Sequence, residues 1–246
     1  MPGKSLQGYL KESEKILVFT GAGISTGSGI PDFRGPDGLW KKMEPVLYQD
    51  FLASGDSRAA HWDYKLKVYE AFKSARPNAA HKAVYELDRK GKLLAVVTQN
   101  IDGLHEDAGH RREKIVELHG TNRHIECLGC DRTYEPGPIF ERFRETRKCP
   151  VCDCGGFLKT ATVMFGEPMP EVEMRRAVDF ASQADLVMAI GSTLQVEPAA
   201  SVPLVAARNG APYVIINRGP TAHDSLATLR LEGDAAELLP EAVKNL

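Results

Sequence analysis

No apolar run in this sequence approaches the roughly 18 to 20 residues that a membrane-spanning helix needs, so no membrane partner is expected. The opening stretch, MPGKSLQGYLKESEK, lacks the apolar core of a secretory signal and reads as a polar lead-in helix. An excess of one charge is also missing. The 31 basic residues are nearly matched by 33 acidic ones, which gives no reason to expect nucleic acid as a partner. The basic group Arg142, Arg144, Arg147 and Lys148 is interleaved with Glu141 and Glu145, as on a solvated helix face. Cysteine is scarce, and all five lie between Cys127 and Cys154. A disulfide framework spreads its cysteines through a small secreted chain. A bunched, odd number in 246 residues points instead to metal binding in a reducing compartment, so the cytoplasm is the expected location. No internal repeat or low-complexity segment is apparent. A 43% hydrophobic share suffices for one large domain, or one carrying a smaller insertion, and a monomer is expected.

Short apolar runs without alternation lie at Ile16–Phe19, Leu94–Val97, Ile115–Leu118, Leu186–Ile190 and Tyr213–Ile216. Such runs fit parallel strands covered on both faces. Helical patterns separate them at Ala79–Arg89, Glu171–Gln183 and Pro198–Arg208, the last with Pro198 in its first turn. The expected fold is α/β, a doubly wound Rossmann-like parallel sheet that binds ligands at the strands' carboxyl ends. Two stretches break the rhythm. One runs from about residue 34 to 77 and contains Trp40 and Trp62; it reads as a loop plus a few helices. The other, about 120 to 160, holds every cysteine, alternates over Arg123–Glu126 and has a turn-like Pro136–Pro138. Both read as insertions forming a small zinc-ribbon/helical module. The large part then comprises about 1–33, 78–119 and 161–246.

The first strand runs into Gly21-Ala22-Gly23-Ile24-Ser25-Thr26-Gly27. Glycines after a strand allow a sharp turn, and their N–H groups can approach a pyrophosphate. Gly-x-Gly alone fits a ligand-free connection equally well. It is not the dehydrogenase fingerprint either, because Thr26 stands at the third glycine position. The wider run decides. GAGISTGSGIPDFRGPDGLW at residues 21 to 40 closely resembles the cofactor-binding segment of the sirtuin family. So do TQNIDGLH at 98–105, LHG at 118–120, FGEPMP at 165–170, GSTLQVEPAA at 191–200 and VIIN at 214–217, in family order along nearly the whole chain.

The resemblance implies NAD-dependent removal of acyl groups from protein lysines, with NAD consumed and nicotinamide and O-acyl-ADP-ribose released. It places Gly21, Ala22 and Gly23 against the phosphates, with Ser25 and Arg34 as added donors. Asp32 and Phe33 fall in a loop whose aromatic ring shields the reacting ribose from water. Gln99 and Asn100 bind the ribose and an ordered water, Asn100 counting among the catalytic residues, Ile101 is a further cofactor contact, and Asp102 accepts from the nicotinamide carboxamide. Gly191, Ser192, Thr193, Asn217 and Asp234 hold the adenosine end, although Asp234 also suits a plain N-cap. His119, at a strand's carboxyl end, is the expected general base, since a neutral imidazole can take a ribose hydroxyl proton at neutral pH. Alone, one histidine among seven would more often be structural. The acylated-lysine peptide is expected to add as a strand against Val163, Phe165, Gly166, Glu167 and Val196, which gives affinity with little sequence preference.

Cys127-x2-Cys130-x18-Cys149-x2-Cys152 has the spacing of a four-thiolate zinc ribbon, against a bland reading as buried thiols. Cys127, Cys130 and Cys149 are expected ligands. The fourth is Cys152 by spacing or Cys154 by resemblance around GGFLK. Either choice leaves no open position, so one structural zinc is expected. Some sirtuins that prefer acidic acyl groups carry Tyr-x-x-Arg before a Pro-Asn pair. Tyr64 and Lys67, ahead of Pro77-Asn78, either stand in that place here, with a point charge instead of a forked donor, or are plain helix surface, and succinyl, acetyl and longer apolar groups all stay open. Two rival functions share these features. One is ADP-ribosyl transfer from the same NAD site, which retention of His119 disfavours. The other is a non-enzymatic nucleotide-binding module.

Overall fold

The computed structural model describes residues 4–31, 45–244 and 246. Its central sheet is six-stranded and parallel, in the order β3-β2-β1-β7-β8-β9. Those strands are β1 (Ile16–Thr20), β2 (Leu93–Thr98), β3 (Ile115–Glu117), β7 (Leu186–Ile190), β8 (Tyr213–Asn217) and β9 (Leu229–Glu232). The run from β1 to β8 includes the apolar segments expected as strands. β1, β7 and β8 are buried at every position, because each has a neighbour on both edges and helices on both faces. β9 was not expected: at the sheet's edge it is only half covered, so its residues carry no continuous apolar run.

Helices α1 (Leu6–Glu12), α4 (Ala79–Arg89) and α9 (Ala235–Lys244) cover one face. Leu10, Val84, Leu87 and Leu239 pack there on Ile16, Val18, Met188 and Val214. Helices α7 (Glu171–Gln183) and α8 (Val202–Arg208) cover the other. There Ala177, Ala181 and Ala206 pack on Leu17, Phe19, Val187 and Ile215. The alternation of inward residues along each strand feeds both cores. Pro198 is not in the first turn of a helix. Its peptide bond with Glu197 is cis, a 3-10 turn follows at Ala199–Ser201, and Pro203 takes the early helical position instead.

The second layer system is a three-stranded sheet of β4 (Gly120–Cys127), β5 (Thr133–Tyr134) and β6 (Leu158–Thr162), in the order β5-β4-β6. Beside it lie α2 (Tyr48–Ala53), α3 (Gly55–Lys73) and α6 (Pro136–Thr146), while α5 (Leu104–Asp107) follows β2. The expected turn at Pro136–Pro138 is the first turn of α6, where a missing N–H costs nothing. Trp62 of α3 is fully buried against Phe140 and Phe143 of α6, with Ile125 and Leu158 of the sheet completing a separate core. Arg144 and Arg147 stay at the surface and pair with Glu70 and Asp63 of α3. Among the described residues no helix is long and apolar enough to cross a membrane.

Candidate active site

A cleft of about 1080 Å³ opens at the carboxyl ends of β1, β2, β3, β7 and β8 and extends to the small sheet. Parallel strands all present the same end there, so segments distant in sequence converge. Gly21, Ala22 and Gly23 line it from β1, and Gln99, Asn100 and Ile101 from β2. His119 follows β3, Gly191–Thr193 follow β7, and Asn217 ends β8 with Asp234 nearby. Val163, Phe165, Gly166, Glu167 and Val196 line the opposite wall. Asp32, Phe33 and Arg34 lie outside the described residues, as does Trp40.

The glycines serve the chain's own packing as well as any ligand. Gly191 has φ +64°, and a Cβ there would come within 2.2 Å of Ile24 N. A Cβ on Gly23 would meet Gly191 Cα at 2.7 Å. Only glycine on both sides lets the β1 and β7 turns cross in contact, with Gly23 N donating to Gly191 O at 2.8 Å. That crossing leaves backbone groups along the floor of the cleft.

Among the described residues the His119 ring makes one hydrogen bond, Nδ1 donating to the Gln99 carbonyl at 3.0 Å. A carbonyl only accepts, so Nδ1 carries the proton and Nε2 keeps its lone pair. Burial pushes the His119 pKa below its ordinary value, with the Gln99 bond opposing. The ring is therefore neutral at neutral pH. The Gln99 side chain is fixed as well, its Oε1 accepting from Ser192 Oγ at 2.7 Å. Asn100 donates through Nδ2 to Gly21 O at 3.1 Å and to Ser25 Oγ at 3.2 Å.

Two residues expected at the cofactor stand off the cleft lining, and two at its adenosine end are held by the chain itself. Ser25 and Asp102 lie beneath the cleft lining: Ser25 Oγ donates to Asp102 Oδ2 at 2.7 Å, and Leu104 N donates to the other oxygen at 2.9 Å. Burial raises the Asp102 pKa, and these hydrogen bonds oppose it. Asp234 caps α9, accepting from Ala236 N at 2.8 Å, and pairs with Arg218. Asn217 Nδ2 donates to the Arg218 and Gly219 carbonyls.

Of the two readings of Lys67, acyl contact or helix surface, the first needs correction and the second agrees with the structure. It is exposed on α3 and does not line the cleft, whereas Tyr64, Lys65 and His61 do. At 3.6 residues per turn Lys67 is rotated by about 200° from Lys65, onto the other side of the helix. Lys65 is buried and donates from Nζ to Thr162 Oγ1 at 2.8 Å. Desolvation, then repulsion from Lys159, lowers its pKa to about 7, with Glu167 opposing. Lys159 is itself buried but paired, 2.6 Å from Glu126 and 3.3 Å from Glu167. The i, i+3, i+4 spacing of His61, Tyr64 and Lys65 was the available signal.

The cysteine expectation also needs correction. The sulfurs of Cys127, Cys130, Cys152 and Cys154 all lie within 4.8 Å of one another, and Cys149 is not among them. Both candidates for the fourth ligand lie in the cluster, and Cys149, expected as a ligand, lies outside it. The cause is a tight turn: Gly155 N donates to Cys152 O at 2.8 Å and Cys152 N to Gly156 O at 2.9 Å. That turn brings Cys154 back beside Cys152, 3.5 Å from Cys127. A Cβ on Gly156 would strike Cys127 Sγ at 2.7 Å, so glycine is needed for the close approach. Cys149, just before Pro150, packs instead against the Trp62 core. Four converging thiols of which Gly129 N and Gly156 N approach two, at 3.3 and 3.4 Å, suit a tetrahedral zinc with no open position.

Comparison with known proteins agrees with this geometry. The model of the Sir2 family matches residues 21–198. The NAD-dependent protein deacetylase 1 of Bradyrhizobium diazoefficiens is 44% identical over 238 residues, covering 96% of this chain and 93% of its own. The NAD-dependent protein deacylase 2 of Archaeoglobus fulgidus is 40% identical, covering 96% of this chain and 93% of its own. A solved Sir2–p53 peptide–NAD+ complex superposes with a TM-score of 0.89 at 35% identity, over 99% of this chain and 98% of that one. A family match over residues 21–198 and relatives 40% or more identical across nearly the whole length show that this chain belongs to the Sir2 family, the sirtuins.

Proposed function

We propose a division of labour among this chain's residues in the reaction of its family, the NAD-dependent removal of acyl groups from protein lysines. The reaction yields nicotinamide, O-acyl-ADP-ribose and free lysine. One observation carries the assignment: His119 Nδ1 is committed to the Gln99 carbonyl, which leaves Nε2 as the proton acceptor at the cleft. Bound NAD supplies an activated ribose carbon whose bond to nicotinamide is broken.

The Gly21–Gly23 backbone lies against the pyrophosphate, and Asn217 and Asp234 flank the adenosine end. Gln99, Asn100 and Ile101 form the wall of the reacting ribose, and Asn100 is the second residue we place at the reacting centre. His119 Nε2 takes the proton of a ribose hydroxyl as that oxygen bonds to the acyl carbon, whose bond to the lysine nitrogen then breaks to free the lysine. Ser25 and Asp102 act from beneath by holding Asn100. The peptide backbone runs along Val163, Phe165, Gly166, Glu167 and Val196. Because the acyl group ends on ADP-ribose and not on water, we class the chemistry as group transfer. Lys65, in place of Lys67, faces the acyl end with Tyr64 and governs which acyl groups are accepted.

The separate Trp62 core supports a division into a large part (about 1–33, 78–119 and 161–246) and a small zinc-bearing module (34–77 and 120–160). Four ligand thiols and the free Cys149 require reducing surroundings, and we place the enzyme in the cytoplasm. The test is incubation with NAD and a panel of acyl-lysine peptides, with nicotinamide and O-acyl-ADP-ribose measured by mass spectrometry. ADP-ribosylated protein in place of O-acyl-ADP-ribose would refute the assignment.

A further inference from the structure

The peptide unit joining Gln99 to Asn100 is pinned on both edges by side chains. β2 ends at Thr98, and the last backbone ladder bonds there are Gln99 N to Thr20 O and Leu118 N to Thr98 O, both 2.9 Å. Beyond them the chain leaves the sheet while still buried, so the next peptide's two polar groups need other partners. Its carbonyl accepts from His119 Nδ1 at 3.0 Å. Its N–H, on the opposite edge of the same plane, donates to Thr98 Oγ1 at 3.0 Å.

Thr98 is in turn held from behind. Thr20 and Thr98 stand opposite one another in the β1–β2 register, and Thr20 Oγ1 donates to Thr98 Oγ1 at 2.8 Å. Having given its proton away, Thr20 Oγ1 accepts from His105 Nε2 at 3.0 Å. His105 is buried, and burial, then the neighbouring His81 and His110, holds its pKa well below the ordinary value, so it stays neutral. Thr20, Thr98 and His105 are all nearly inaccessible and do not line the cleft.

We propose that Thr98, backed by Thr20 and His105, is a positioning residue for the family reaction, orienting the His119 ring through the Gln99–Asn100 peptide plane. A planar unit cannot tilt at one edge without tilting at the other. An amide whose N–H is donated also has a more basic carbonyl, which strengthens the bond to Nδ1–H and favours the charged ring. The proposal rests on His119 as the base, and its first readout is independent of turnover.

The experiment compares Thr98→Val, which removes the hydroxyl at nearly constant shape, with Thr98→Ser, which keeps it. The His119 ring is followed by nuclear magnetic resonance titration and assigned by its absence in His119→Ala. In Thr98→Val the His119 ring is expected to titrate at lower pH than in the wild type. Deacylation kcat is expected to fall roughly tenfold, within the range that small misplacements cost, while KM for the acyl peptide stays within about twofold. Thr98→Ser should restore both. Thr20→Val, one bond further back, should move the titration in the same direction by less, and it serves if Thr98→Val does not fold. An unchanged His119 titration in the folded valine variant overturns the proposal, as does a serine variant as impaired as valine. A shifted titration with unchanged kcat overturns Thr98 as a positioning residue for the reaction, whereas the reading of His119 as base falls only if His119→Ala retains turnover.

Discussion

Replacing Lys65 with methionine should make this protein more stable, although it removes a hydrogen bond. In the unfolded chain the amine titrates near 10.5, and in the fold at about 7, chiefly through desolvation. Above pH 10.5 both states are neutral and the fold pays nothing. As pH falls through that window the unfolded chain gains a proton that the fold resists, and the penalty is complete below about 7. At pH 7 it is about 4 kcal/mol. Losing the bond to Thr162 Oγ1 returns about 1 kcal/mol of that, since Thr162 still meets Thr160 Oγ1 at 3.0 Å. A net gain of about 3 kcal/mol corresponds to a rise in Tm of roughly 6–12 °C for a domain of this size. The assay is thermal unfolding by circular dichroism at pH 7, 8.5 and 10, wild type beside Lys65→Met. The gain should shrink steadily toward pH 10. A lower Tm at pH 7, or a gain that does not vary with pH, refutes the reasoning, because either would mean that Lys65 is comfortably charged in the fold.

Other predictions concern separate parts of the molecule. His119→Ala should keep the wild-type Tm within about 2 °C and lose at least about a hundredfold in kcat; near-normal turnover rejects the base. Cys149→Ser should retain one zinc per chain by metal analysis, whereas Cys154→Ser should lose it and unfold the small module; the reverse order would restore the spacing-based ligand set. Gly191→Ala should weaken NAD binding measured by calorimetry by about tenfold or more, since the added methyl must displace the Gly23–Ile24 backbone. Lys65→Met should alter the ratio of kcat/KM for succinyl-lysine over acetyl-lysine peptides, while Lys67→Met should leave it unchanged.

Much of this protein follows from local pattern. Strands buried on both faces cannot alternate, so Leu186–Ile190 and Tyr213–Asn217 stand out as apolar runs. The helix Ala79–Arg89 follows from its 3.6 periodicity and its Asn78 cap. The glycine-rich loop, His119 before Gly120 and the cysteine cluster were visible because their chemistry needs particular residue types close in sequence. Tertiary structure decided what depends on direction. The side of α3 that meets the cleft is set by Trp62 burying itself against α6, which turns Lys65 inward and Lys67 outward. The choice of thiols is set by the Cys152–Gly156 turn closing on Cys127, a contact between segments far apart in the chain, and spacing alone cannot see it. The half-covered edge strand Leu229–Glu232 exists because β8 offers it a ladder, not because its residues demand one. The peptide plane behind His119 belongs to the same class: Thr20, Thr98 and His105 come from β1, β2 and α5 and His119 from the link after β3, and only the parallel order of β1, β2 and β3 brings their polar atoms together.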